Sequence, residues 1–342
     1  MDNKEDDSRP TISVVIPMKN EEKYIARCME SILDQEYPKE LIEVMVVDGG
    51  SDDNSLAIVE SFVDRHPNVK LMGGAGVNCP AAMNIGIRSA RGKLVSKIDA
   101  HGYVAPDFLR MGEKYLYSEK DIKCVGGPIS PVAQTIIAGA NALARSSRFG
   151  VGKGIYSIGG EANFVDTVQC GMYEKDVFTQ VGVFDEELQF GEDEEINWRI
   201  REKGYKIFST PEIRFFYYPR DSFRKLFKQY YNYGLARVRV IQKHPNFLRI
   251  KHVIPTMFVL ALLLSGILGA FSKLFLWVLM AITAAYLAMS LFSSVLISAK
   301  EGFKYLGLLP VSFAALHFGY GMGFGCGFIR MWAEKVSGGV GV

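Results

Sequence analysis

Short apolar runs and amphipathic runs alternate along the first 120 residues. The longest apolar run, LIEVMVVD, suits a strand that is buried on both faces. Strands are predicted within the runs 11–20, 41–55 and 93–102 and at residues 69–72, and helices are predicted at residues 21–35, about 55–65 and 79–90. Strands that alternate with helices of this kind form βαβ units around a mainly parallel sheet, whose ligands bind beyond the carboxyl ends of the strands. The sequence therefore predicts an α/β fold.

Three much longer apolar runs follow in the last part of the chain. They cover residues 253–270, 274–299 and 305–329. Each is close to or above the roughly 18–20 residues that a helix needs to cross a hydrocarbon core of about 30 Å. Buried core helices are the alternative, but such helices normally carry a polar stripe, and these runs barely do. We therefore expect three transmembrane helices within residues 253–335, with the lipid bilayer as a partner.

Charge is unevenly distributed along a chain whose net charge is only +2. Residues 220–252 hold nine Lys or Arg and one acid, with aromatic and apolar residues at helical spacing. This pattern predicts basic amphipathic helices in an anionic headgroup layer. A nucleic-acid-binding patch is the alternative, but the segment leads straight into a predicted span, so we expect no nucleic acid. The basic flank predicts a multi-pass cell-membrane protein with a cytoplasmic catalytic domain, and the polar tail, residues 1–10, has no apolar signal segment.

Two predicted strands end in candidate ligand-binding residues. Asp48 is followed by two glycines and a serine, so its carboxylate can hydrogen-bond a nucleotide while the backbone comes close. A turn that caps the next helix is the alternative. Asp99 and His101 lie on the same side of an extended chain and suit a manganese-like ion that bridges a nucleotide diphosphate. A solvated strand end with a hydrogen-bonded histidine is the alternative there.

Four consecutive acids, residues 192–195, stand where a loop enters a predicted helix. Acids at this position are stabilised by the helix dipole, so the cluster can be a simple N-terminal cap. Alternatively, one carboxylate faces the cleft as a general base that deprotonates an attacking hydroxyl. The neighbouring acids would then raise the pKa of that base, because they oppose a further negative charge.

These features, in this order, resemble glycosyltransferase family 2, the inverting enzymes with a GT-A fold. The resemblance covers about residues 11–215 and rests on SVVIPMKNEEKYIARCMESILDQ, VVDGGSDDNS, AAMNIGIRSARGKLVSKIDAH and GEDEEINWRIREKGYKI. With its apolar tail, the chain is most similar to membrane-bound members of the succinoglycan type. The resemblance implies a GT-A domain over residues 11–219, a nucleotide-sugar donor, with a UDP-sugar favoured, and manganese or magnesium as the metal.

The same resemblance implies roles for single residues. Asp193 would be the catalytic base, and Glu192 a neighbour that shapes its surroundings on the acceptor side. Asp99 and His101 would bind the metal, with His101 in the place of a second Asp. Lys97 is placed near the diphosphate by its proximity in sequence. The predicted nucleotide-sugar-binding residues are Pro17, Asn20, Glu21, Asp48, Gly49, Ser51, Lys97 and Asp99.

The acceptor is expected to be a lipid or lipid-linked molecule. The Gln-x-x-Arg-Trp motif of processive family members is absent after Gln229, so we expect addition of one sugar at the cytosolic membrane face. Arg237 and Arg239 can pair with an acceptor phosphate or anchor the membrane surface. Candidate acceptors are a polyprenyl phosphate, a polyprenyl-diphosphate saccharide and a glycerolipid headgroup. The alternative functions are a processive polysaccharide synthase and a catalytically silent membrane scaffold that binds nucleotide sugar.

Overall fold

The computed structural model describes residues 11–152 and 161–338, so the predicted polar tail lies outside the described residues. The chain divides into two compact units. The first comprises Met1–Ser130 and Ile155–Tyr217, and the second comprises Pro131–Gly154 and Tyr218–Val342. Residues 131–154 therefore belong with the C-terminal helices, although the predicted catalytic domain runs from residue 11 to residue 219 without a break.

Strands and helices follow one another along the described chain as the hydrophobic pattern predicts. The strands, β1 to β11, are Ile12–Met18, Ile42–Asp48, Val69–Gly73, Leu94–Lys97, Gly102–Val104, Ile122–Gly126, Ile129–Pro131, Asn163–Phe164, Met172–Glu174, Lys206–Ser209 and Phe215–Tyr217. The α-helices, α1 to α11, are Ile25–Leu33, Ser55–Val63, Cys79–Ser89, Phe108–Leu116, Ile136–Ser146, Val177–Val181, Glu192–Glu202, Phe223–Lys243, Ile250–Gly269, Lys273–Glu301 and Leu309–Gly338. Asn78, Thr135 and Ser222 begin α3, α5 and α8, because each side chain accepts a hydrogen bond from a backbone N–H of the first turn.

An eight-stranded sheet is the framework of the first unit, in the order β3-β2-β1-β4-β9-β6-β10-β8. β1 pairs in parallel with β2 and β4, β2 with β3, and β6 with β10. β9 is antiparallel to β4 and β6, and β8 is antiparallel to β10. A smaller sheet has the order β5-β11-β7. The predicted, mainly parallel α/β sheet is confirmed, and the carboxyl ends of β1, β2 and β4 share one edge.

Both faces of the large sheet are covered. Along β1, Val14 and Ile16 pack into one hydrophobic core with residues of α1 and α4, whereas Val15 packs into a second core with residues of α3 and α7. Each of these three side chains is fully buried. The continuous apolar character of β1 and β2 therefore reflects burial on both faces of the sheet, as is typical of parallel strands.

Two helices of the second unit, α8 and α11, pack backbone to backbone. A Cβ atom placed on Gly323 of α11 would lie 2.0 Å from the carbonyl oxygen of Tyr231, and one on Gly319 would lie 2.7 Å from that of Phe227. Glycines four residues apart on one helix face permit such an approach, because no side chain separates the two backbones. The basic helix α8 is therefore held closely along α11 within one chain.

The amphipathic pattern of α8 follows from this packing. Leu226 and Tyr230 are buried in a hydrophobic core that also contains Phe313 and Leu316 of α11. Arg224 and Lys228, on the opposite side, are exposed. The apolar face predicted to enter a headgroup layer is thus occupied by a neighbouring helix, while the basic face is free of that core.

We expect Gly323→Ala to destabilise the chain by about 1–3 kcal/mol, the usual cost of overpacking a tight contact. The added methyl group would overlap the Tyr231 carbonyl. Gly325→Ala is the matched control, since its Cβ would meet only the Cγ2 of Thr256 at 3.4 Å. Thermal unfolding of the full chain in detergent measures the difference. Equal unfolding temperatures for the two variants would contradict this account of the helix contact.

Two described helices, α9 and α10, are long and apolar enough to cross a membrane, by length and composition alone. The third predicted span, residues 305–329, lies mostly in α11, which is not one of the helices that meet this test, and the prediction of three transmembrane helices stays a prediction. Glycines, one serine and one histidine interrupt the apolar residues of this third span, and much of it is buried inside the second unit.

The exposed side of α10 is more apolar than its buried side. Ser290, Ser294 and Ser298 are the buried residues of this helix, whereas Trp277 and Phe292 are about two-thirds exposed, at 66% and 65%. A helix on the surface of a water-soluble protein normally has the reverse arrangement. Small residues on the packed side and large apolar residues on the outer side are typical of helices surrounded by lipid.

Candidate active site

The candidate site lies at the carboxyl edge of β1, β2 and β4. Met18, the last residue of β1, pairs with Asp48, the last residue of β2. β4 ends at Lys97, and Asp99 follows two residues later. The N-terminus of α7 reaches the same place and starts after Gly191, whose φ of +79° lies in the left-handed region that glycine adopts readily. The predicted acids of three separate segments therefore converge on one edge.

A buried lysine joins these acids. The Nζ of Lys97 lies 2.7 Å from Oδ2 of Asp193, 3.1 Å from Oε1 of Glu192 and 3.3 Å from Oδ1 of Asp99. Only 1% of the Lys97 side chain is exposed. Burial alone would lower the pKa of Lys97, but the three carboxylates hold that pKa well above its ordinary value. No local sequence pattern indicates this cluster, because its members are up to 96 residues apart.

Asp193 has the properties of a general base. Burial raises its pKa to about 7, the nearby Lys97 opposes that rise, and Glu192 and Asp99 add to it. Oδ2 accepts a hydrogen bond from Lys97, whereas the buried Oδ1 has no hydrogen-bond partner among the described residues. One oxygen therefore fixes the carboxylate, and the other remains available to accept a proton.

Asp99 and His101 lie at the predicted metal position. Although burial acts to raise the pKa of Asp99, Lys97 and His101 hold it below its ordinary value. Nδ1 of His101 lies 3.3 Å from Oε1 of Glu21, and a carboxylate beside an imidazole commonly orients a metal-binding histidine. In the described ranges, no group of three His, Cys, Asp or Glu residues could hold a metal. A pair of ligands still fits a metal that takes its other ligands from phosphate oxygens and water.

Asp48 closes the turn that follows β2. Its Oδ2 accepts hydrogen bonds from the backbone N–H of Gly50 at 2.8 Å and of Ser51 at 3.1 Å, and its Oδ1 accepts one from Ser51 Oγ at 2.6 Å. The structure therefore contains a turn closed by Asp48, but α2 begins at Ser55 after the N-cap Asn54, which makes no side-chain capping hydrogen bond. A contact between Asp48 and a nucleotide stays a prediction.

The loop after β1 is tied to this turn. The backbone N–H of Asn20, at a φ of +57°, donates to Ser51 Oγ at 2.9 Å, and the N–H of Glu21 donates to Ser55 Oγ at 2.8 Å. Pro17 pairs with Val47 in the sheet. A Cβ atom on Gly49 would lie 2.4 Å from the carbonyl oxygen of Val77. The predicted nucleotide-binding residues thus share one edge, and their roles stay predictions.

Comparison with known proteins decides the family. A family model, Glycosyl transferase family 2, matches residues 13–182. The Methanococcus voltae enzyme dolichyl N-acetyl-alpha-D-glucosaminyl phosphate 3-beta-D-2,3-diacetamido-2,3-dideoxy-beta-D-glucuronosyltransferase is 32% identical over 239 residues, which cover 68% of this chain and 74% of that enzyme. The chain belongs to glycosyltransferase family 2.

Further relatives of this glycosyltransferase agree with its sequence and fold. The succinoglycan biosynthesis protein ExoA of Rhizobium meliloti is 27% identical over 245 residues, covering 71% of the chain and 73% of that protein. The mannosyltransferase PcManGT from Pyrobaculum calidifontis, solved with GDP-Man and Mn²⁺, has a TM-score of 0.58 at 19% identity and covers 91% of this chain and 87% of its own. GalNAc-T7, solved with UDP, GalNAc and Mn²⁺, has a TM-score of 0.52 at 19% identity, and the match covers 69% of this chain and 48% of the GalNAc-T7 chain. The GT-A fold is confirmed.

Other polar residues of the glycosyltransferase have different surroundings. Glu195, at the end of the acidic run, forms two hydrogen bonds of 2.7 Å with Arg199 on the same helix. Arg237 and Arg239 lie on α8 in the second unit, with the guanidinium carbon of Arg237 5.1 Å from the ring centre of Phe247. Their predicted acceptor role stays a prediction.

Cys79 was missed as a neighbour of the site. Its Sγ lies 3.8 Å from Oε1 of Glu192, and burial, with Glu192 next, raises the pKa of the Cys79 thiol well above its ordinary value. The thiol therefore lies beside the acidic cluster, and its raised pKa disfavours the thiolate form. Its position at the start of α3 follows from the fold and leaves no signal in the local sequence.

The kcat/KM of the glycosyltransferase is expected to rise with pH until about pH 7 and then to level off, because Asp193 accepts a proton only when it is ionised. Initial rates at limiting donor concentration, measured across this range in buffers of constant ionic strength, give the profile. The residual rate of Asp193→Asn should lack the inflection. An inflection near the ordinary carboxyl pKa of 3.8 would contradict the assignment.

Proposed function

We propose that the chain is a membrane-bound inverting glycosyltransferase that transfers one sugar from a nucleotide-sugar donor, a UDP-sugar, to a lipid-linked acceptor at the cytosolic membrane face. The observation that carries this proposal is the buried Asp193 carboxylate, which has one oxygen bound to Lys97 and the other unpaired among the described residues. A single such base suffices for inversion, since no covalent intermediate with the enzyme is needed.

In the proposed reaction, Asp193 takes the proton of the acceptor hydroxyl as the acceptor oxygen attacks C1 of the donor sugar. The bond between C1 and the diphosphate oxygen breaks on the opposite face, and the nucleoside diphosphate leaves with the electron pair. Asp99 and His101 would hold a divalent metal ion. Such an ion, when bound, neutralises the negative charge that the leaving diphosphate gains.

A lipid-linked acceptor is supported by the relatives. The name of the Methanococcus voltae enzyme describes a sugar joined to dolichyl phosphate, and it is 32% identical to this chain. Arg237 and Arg239 are the proposed acceptor-side residues, because a guanidinium group binds phosphate oxygens in a fixed, two-pronged geometry. We propose a polyprenyl-linked saccharide as the acceptor class, because its sugar supplies the hydroxyl that Asp193 deprotonates and its phosphate is the group that the two arginines would bind.

The basic residues support a membrane hairpin. Arg249 and Lys251 stand at the start of α9, and Lys300 and Lys304 stand near the end of α10. With two spans, both of these flanks lie on the same side of the membrane, and the basic residues of the C-terminal helix join them. Positively charged flanks favour the cytosol, so we propose that α9 and α10 cross the membrane and return.

The deciding experiment measures transfer by the purified full chain in detergent with Mn²⁺, a panel of UDP- and GDP-sugars and a crude lipid extract. Lipid-linked product from one donor, with the opposite anomeric configuration by NMR, is expected. Long polymer would indicate a processive synthase instead. Binding of nucleotide sugar without turnover of any donor would indicate the silent scaffold. Retained configuration would overturn the inverting mechanism.

A further inference from the structure

Lys97 is the most deeply buried charged side chain of the site, and its backbone is fixed on both sides. Lys97 pairs with Val15 of β1 in the parallel ladder, and its N–H donates to the carbonyl oxygen of Gly171 at 2.9 Å. The side chain is 1% exposed. Because the backbone is held in the sheet and the side chain is buried, the ammonium group has little freedom to move toward a ligand outside the cluster of Asp99, Glu192 and Asp193.

The hydrogen-bonding capacity of Lys97 is used within the protein. An ammonium group has three donors, and three carboxylates, those of Asp193, Glu192 and Asp99, lie within 2.7–3.3 Å of Nζ. A diphosphate oxygen would have to displace one of them. The shortest contact is the one to Asp193, so the geometry directs Lys97 to the base and leaves no donor for a phosphate.

We propose that Lys97 positions the Asp193 carboxylate and links it to Asp99, and that it does not bind the donor diphosphate. This inference rests on the proposed function, in which Asp193 is the base. By holding Oδ2 of Asp193, Lys97 leaves Oδ1 to accept the proton. Since the same ammonium also contacts Asp99, it fixes the base relative to the residue proposed to hold the metal.

The test compares Lys97→Met with Lys97→Arg in the full-length enzyme. Lys97→Met should lower kcat by about 100-fold, the scale of a general-base contribution, with the donor KM and the calorimetric affinities for UDP and Mn²⁺ unchanged or tighter. Lys97→Arg keeps the charge and should recover part of kcat. A tenfold loss of UDP affinity in Lys97→Met, as for a direct phosphate ligand, would overturn the proposal.

A double variant keeps the test decisive if Lys97→Met does not fold. Lys97→Met with Asp193→Asn removes the closest ion pair as a unit, so less charge is left unpaired. If Lys97 acts through Asp193, the double variant should be no slower than Asp193→Asn alone and should bind UDP equally well. Additive losses of rate or weaker UDP binding would overturn the positioning role. Full activity of Asp193→Asn would instead refute the proposed function itself.

Discussion

Asp193→Asn is expected to lower kcat by about 10²–10⁴-fold, the usual contribution of a general base, while donor binding persists. The amide keeps the size of the carboxylate but cannot accept a proton from the acceptor hydroxyl. The effect should be large because the carboxylate is buried and has a pKa of about 7, which places it near the pH at which a base works best. Single-turnover transfer and UDP titration of the same preparation measure both quantities.

The matched control is Glu194→Gln, the same chemical change on the next residue of α7. Glu194 is not one of the three carboxylates around Lys97, so its substitution should change kcat by less than about threefold if only the base carries the proton transfer. Similar losses in the two variants would mean that general charge at the helix start matters and that Asp193 is not the base.

The sheet and its functional edge could be predicted because strand periodicity is a local property of the sequence. The predicted strand runs 11–20, 41–55 and 93–102 contain β1, β2 and β4, and parallel strands must end at the same edge. The acids at these ends were therefore recognisable as candidates. Parallel crossover connections bring together residues that are far apart in the sequence. The hydrophobic pattern therefore indicates which edge of the sheet holds the site, but not which side chains touch there.

The contacts inside the site could not be predicted, because they depend on register and side-chain direction across distant segments. Lys97 is predicted near the diphosphate from its position in sequence alone, and that position does not reveal its contacts with Asp193 and Glu192. Glu21 stays a predicted nucleotide-binding residue, and the sequence does not reveal that its carboxylate lies 3.3 Å from His101. Both features follow from the pairing of β1 with β4 and from the approach of α7.

The helical region shows a second limit of sequence patterns. An apolar run does not distinguish a helix surrounded by lipid from one surrounded by other helices. α10 turns large apolar residues outward, but α11 packs its glycines against α8. Spacing of small residues, such as Gly319 and Gly323, permits close packing, but it does not show from the sequence which helix packs against them.

Asp99→Asn is the second substitution with a large expected effect. The change removes one negative charge from the proposed metal ligands, and metal affinity depends on the charge and number of the ligands. We expect the Mn²⁺ concentration for half-maximal activity to rise at least about tenfold, as is usual when the shell around a metal is damaged. Mn²⁺ binding by electron paramagnetic resonance, with UDP present, measures this independently of turnover.

Substitutions of His101 separate metal binding from charge balance. His101→Ala should raise the Mn²⁺ requirement as Asp99→Asn does. His101→Asp replaces the imidazole nitrogen by a carboxylate oxygen and should shift the preference toward Mg²⁺, because carboxylates suit Mg²⁺ and imidazole suits softer ions. Glu21→Gln, which removes only the carboxylate beside His101, should have a smaller effect in the same direction. If Asp99→Asn lost activity with its Mn²⁺ affinity unchanged, Asp99 would act through Lys97 alone, and the metal would have to be held elsewhere.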